Sequence, residues 1–118
     1  MELGVLNKNM KKSLILIFLL TSVLFANAQA HKGKVFYYYL LKPSLGYDGS
    51  VFTKKHSDKQ WEKLFSNNAK GLKKELLYQN IKLKDFLDSE KFIEILPHLK
   101  AFALEFASNK KNFPECIE

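Results

Sequence analysis

Arginine is absent from the 118 residues: all 19 basic side chains are lysine. That removes the planar fork with which proteins read base edges and clasp phosphates in pairs, so a nucleic-acid reader is not expected. Cysteine occurs once, as Cys116. One thiol excludes a disulfide within the chain, a C-x-x-C redox pair and haem attached through C-x-x-C-H. Long apolar runs are lacking too. The longest, from Leu14 to Phe25, covers 12 positions with only Thr21 and Ser22 polar, whereas a membrane-spanning helix needs roughly 20.

What is present at the N-terminus follows the three-part layout of a secretory signal peptide. Lys8, Lys11 and Lys12 precede the apolar run, and the small residues Ala26, Ala28 and Ala30 follow it. Met1 and Met10 are alternative starts, and the small residues allow cleavage after Ala28 or after Ala30. Taking the segment as residues 1–30, the mature part is 31–118, one domain of a size that buries roughly 60 to 65% of its unfolded surface. Losing three lysines and Glu2 lowers the net charge from +7 to +5. The expected product is a lysine-rich periplasmic or secreted protein with no membrane span. No cysteine directly follows the apolar run, Cys116 lying at the opposite end, so a lipid anchor is not expected.

The mature part shows no repeat and no Pro-, Gly- or Ser-rich linker. "GKVFYYYLLKP" is read as a helix ending before Pro43, and "SLGYDGS" as a loop. Ser57 with Gln60 three residues on has capping-box spacing. Trp61, Leu64 and Phe65 then share a face, as do Ala69, Leu72 and Leu76, with Lys70, Lys73 and Lys74 outward. In "SEKFIEILPHLKAFALEFASN", Phe92, Leu96, Leu99, Phe102, Ala103 and Phe106 keep spacings of three or four, and Pro97 is expected to kink or break the helix. The end, "KKNFPECIE", reads as an irregular tail. The fold class these segments predict is all-α, a small orthogonal bundle of four to six short helices.

Few residues carry recognisable chemistry. G-x-S-x-G, H-E-x-x-H and glycine-rich phosphate loops are missing, and the carboxylate pairs Asp85/Asp88 and Glu90/Glu94 are those of an ordinary solvated helix, so no enzyme is expected. His31 becomes the first residue after cleavage at Ala30 and the third after cleavage at Ala28. Either places an amine and an imidazole where they chelate copper, which makes a copper-binding protein the alternative reading. Cys116, unpaired in an oxidising compartment, has three expected fates: a disulfide-linked homodimer, a bond to a partner, or a free thiol on the tail. Phe36, Tyr37, Tyr38, Tyr39, Tyr47, Phe52, Trp61 and Phe65 crowd one end of the mature chain, more rings than a core this small needs there. Tyr37, Tyr38, Tyr47 and Trp61 are accordingly candidates, with Cys116, for contact with an envelope protein.

The strings "GYDGSVFTKKHSDKQWEKLF" and "LPHLKAFALEFASNKKNFPEC" contain a G-x-x-F, a W-x-x-L-F and a closing F-A-S-N with P-x-C. In these the chain resembles a group of small exported bacterial proteins of unknown function. The resemblance implies that Gly49, Phe52, Trp61, Leu64, Phe65 and Cys116 belong to a recurring pattern. It implies no activity. The function expected is a non-catalytic accessory or protein-interaction domain outside the cytoplasm.

Overall fold

The computed structural model describes residues 28–115; the expected signal segment up to 27 and Cys116 lie outside the described residues. Helix α1 (28–36) runs into a π-helical turn, Tyr37–Leu41, and then α2, Lys42–Leu45. Next come α3 (Gly49–Thr53), α4 (Asp58–Gln79), a 3-10 turn (Ile81–Leu83), α5 (Lys84–Leu87) and α6 (Glu90–Glu105). Among the described residues there is no strand, and the fold is a small all-α bundle as the periodicity predicts.

Helix α6 is the spine. The Ser89 side chain accepts from the Phe92 amide to cap it. Phe92, Ile95, Leu99, Phe102 and Ala103 then fall on one buried stripe, against which α3, α4 and α5 pack. Pro97 neither ends nor splits the helix, which runs unbroken from Glu90 to Glu105. Pro97 is exposed and so is Ile93, whose carbonyl the missing N–H would have served. Water can take that carbonyl, so the proline is tolerated.

Helix α1 crosses α6 at Gly33. A Cβ built there would stand 2.0 Å from the His98 carbonyl oxygen and 2.7 Å from the Phe102 Cβ, so only a bare backbone permits this approach. Ala30, Tyr37 and Leu41 continue the same buried face.

The helix does not stop before Pro43. The Lys42 N–H donates to the Tyr37 carbonyl, the wide register of a π turn. The turn lets Pro43, which has no N–H to give, enter α2 near its start, where an N–H is not needed. Gly46 closes α2 in the left-handed region at φ +84°. The stretch expected as one loop is therefore shorter: α3 starts at Gly49 with Asp48 at its N-cap position.

Helix α4 opens with the expected capping box. Ser57 accepts from the Gln60 amide while Gln60 accepts from the Ser57 amide. The helix then breaks its hand. Ser66 is extended, and Asn67, Asn68 and Ala69 sit at φ +53°, +56° and +59° before the right-handed spiral resumes. Asparagine tolerates this region, but Ala69 does so at a cost of roughly 1–2 kcal/mol. Its burial in the core offsets that cost. The break lets both halves turn an apolar face inward: Trp61 from the first, Leu72 and Leu76 from the second.

Candidate functional site

The crowded aromatic residues divide into an inner file and an outer ledge. In the file, Phe102, Tyr37, Phe52, Trp61 and Phe65 follow one another with ring centroids 6.3, 4.7, 4.9 and 6.0 Å apart. Tyr37 and Trp61 are each 1% exposed. As contact residues they are corrected: both are core, out of reach of a surface partner. Their polar atoms are satisfied internally. The Tyr37 hydroxyl donates to the Tyr47 carbonyl at 2.5 Å, and the Trp61 Nε1 donates to the Thr53 carbonyl at 3.0 Å. Burial, then Tyr47 and Asp48, push the Tyr37 hydroxyl far above the ordinary tyrosine range.

Tyr47 is a strut between the file and the surface. Its hydroxyl donates to Gln79 Oε1, and Lys55 lies 4.5 Å over its ring. Burial raises its pKa, the Gln79 bond opposes that rise, and the nearby Glu75 adds to it.

The outer ledge lies on the π turn. Tyr38 and Tyr39, one and two residues on from Tyr37, lie off the buried stripe that Tyr37 and Leu41 occupy. The two rings meet edge to face at 5.0 Å and 84°. With Lys42, Pro43 and Gly46 they line a shallow hollow of about 340 Å³. Tyr39 is 65% exposed. Lys42 fixes the inner ring: its Nζ is 4.9 Å over Tyr38 and 2.6 Å from Asp48 Oδ1. The hollow is thus rigid on the Tyr38 side and open on the Tyr39 side.

Tyr39 was not among the sequence candidates. The signal for it was Pro43, four residues later, which leaves the Tyr39 carbonyl without its helical donor and so favours a local change of register.

His31 lies exposed on α1, beside a hollow of about 280 Å³ shared with Lys34, Glu105, Phe106 and Glu115. Among the described residues no three His, Cys, Asp or Glu side chains stand close enough to hold a metal ion. Helix α1 is already formed at 28–31, with Ala30 buried. Wrapping copper with backbone nitrogens at the third-residue position would therefore require this end to unwind. Cys116 lies outside the described residues.

No family model matches the chain, and neither a curated protein nor a solved structure matches it.

Proposed function

We propose that the chain is an exported, non-catalytic accessory domain that docks onto another envelope protein through the Tyr38–Tyr39 ledge. The observation that carries the reading is Tyr39, a large amphipathic ring left mostly in water beside a second ring that Lys42 holds in place. Tyrosines of this kind anchor interfaces because they bring contact area and a hydroxyl while losing few rotatable bonds. The tripartite N-terminal pattern supports the compartment.

Site-specific photocrosslinking in the producing cell tests it. A photoreactive residue at position 39 is expected to give one discrete adduct, and the same group at the exposed Lys59 none. Identical adduct patterns at both positions, or no adduct at 39, would overturn the reading.

A further inference from the structure

The second half of α4 carries cations that nothing in the fold answers. With Leu72 and Leu76 pointing inward, Lys70, Lys74 and Tyr78 recur every four residues along the opposite, exposed face. Two hollows of about 550 and 450 Å³ meet along this row. Lys63 adds to the first and Lys73 to the second, and no carboxylate lines either. Among the described residues Lys63, Lys70 and Lys74 have no ion-pair partner. The neighbouring Glu75 carboxylate is taken by His56, whose Nε2 lies 2.8 Å from its Oε1.

Lysines alone would be an ordinary solvated surface. Here the row ends in Tyr78, 93% exposed, and the chain continues to Ile81, 70% exposed. Both are costly in water and neither is covered.

We infer that this face is a peripheral docking surface for an anionic phospholipid bilayer. Lysine attracts phosphate as a mobile point charge, which suits a fluid layer of headgroups better than a ligand of fixed geometry. Each lysine near an anionic membrane surface adds about a five-fold gain in partitioning. Tyrosine settles at headgroup depth, its ring among the acyl chain ends and its hydroxyl in water. A soluble polyanion would engage the lysines but give Tyr78 and Ile81 no apolar phase. A row of lysines along one exposed helix face meets such a surface laterally; no described helix is long and apolar enough to cross a membrane. The break at Asn67–Ala69 splays the two halves of α4, bringing Lys63 to the same groove as Lys70 and Lys74. This face shares no lining residue with the tyrosine ledge, and either can fail without the other.

Vesicle co-sedimentation of the full chain tests it, comparing phosphatidylcholine with phosphatidylcholine–phosphatidylglycerol mixtures. The apolar segment at 14–25 is common to all variants and cancels. Lys70→Gln/Lys74→Gln is expected to lower partitioning into the anionic vesicles about 30-fold, the product of two lysine contributions. Lys32→Gln/Lys111→Gln, equal in net charge and exposed elsewhere, is expected to lower it less than about 3-fold, and raised salt to weaken the wild type steeply. Tyr78→Ala is expected to reduce binding without changing the salt slope. Equal losses in the two lysine pairs, no preference for anionic vesicles, or retention of soluble polyphosphate without vesicle binding would each overturn the inference.

Discussion

The indole Nε1 of Trp61 donates to the carbonyl of Thr53 at 3.0 Å, tying the first turn of α4 to the end of α3 across a site closed to water. Phe52 packs against the indole at 4.9 Å, tilted by 47°, and His56 meets it edge-on at 4.8 Å and 88°. Trp61→Phe removes the donor and strands a buried carbonyl, which should cost about 1–2 kcal/mol. Trp61→Ala removes the ring as well and should cost about 3–5 kcal/mol. Urea unfolding of both variants checks the two values and their order.

The approach of α1 to α6 rests on Gly33. Because the nearest atom to an added Cβ is the backbone oxygen of His98 rather than a movable side chain tip, Gly33→Ala cannot be absorbed by a rotamer change. The helices must separate, uncovering Ala30 and Tyr37, at a cost of about 3 kcal/mol. Gly46→Ala meets no neighbour but sits at φ +84°, so its cost is backbone strain of about 1–2 kcal/mol. A thermal melt should place Gly33→Ala well below Gly46→Ala, and Gly46→Ala below the wild type.

Periodicity and caps carried the helices. Ser57 with Gln60 and the inward positions Leu72, Leu76, Phe92, Leu99 and Phe102 were all legible, because burial in a bundle repeats with the helical turn. Two features broke that rule and were not. The π turn at Tyr37–Leu41 carries the helix on into Pro43, and the left-handed residues Asn67–Ala69 hide in a sequence whose apolar pattern looks continuous. Both are answers to long-range packing, which local pattern does not encode. The site was therefore half legible. A tyrosine cluster was visible, but Tyr37 and Trp61 went inside and Tyr39 outside. Of the neighbouring Lys54 and Lys55, only Lys54 turns inward onto backbone carbonyls.

Lys54 holds the irregular end of the domain. Its Nζ donates to the carbonyls of Ala107, Lys110 and Asn112 at 3.2, 2.9 and 2.7 Å and lies 4.4 Å over the Phe113 ring. These carbonyls follow α6, whose end carries partial negative charge, so an ammonium suits them. Lys54→Met keeps the stem but frees three acceptors, and should cost about 2 kcal/mol. Hydrogen exchange should rise at 107–113 and remain unchanged at 92–103 in the spine. The neighbouring Lys55→Met should leave both segments unchanged.

Glu105 closes α6, where the helix carbonyls repel a carboxylate, and partial burial raises its pKa above 4.5. His31, Lys34 and Glu115 line the same hollow. The sign follows from which form the fold prefers. A raised folded-state pKa means the protonated acid is favoured, so its contribution is complete below pH 4.5 and is lost as pH rises through the folded-state value. At pH 7 the carboxylate is a small liability. Glu105→Gln, which imitates the protonated acid, should stabilise the protein at pH 7 by about 0.3–0.5 kcal/mol, the scale of an exposed charge at a helix end. That advantage should shrink as pH falls and vanish below pH 4.5, where wild type and variant carry the same charge. Paired urea titrations at pH 7 and at pH 4 measure it.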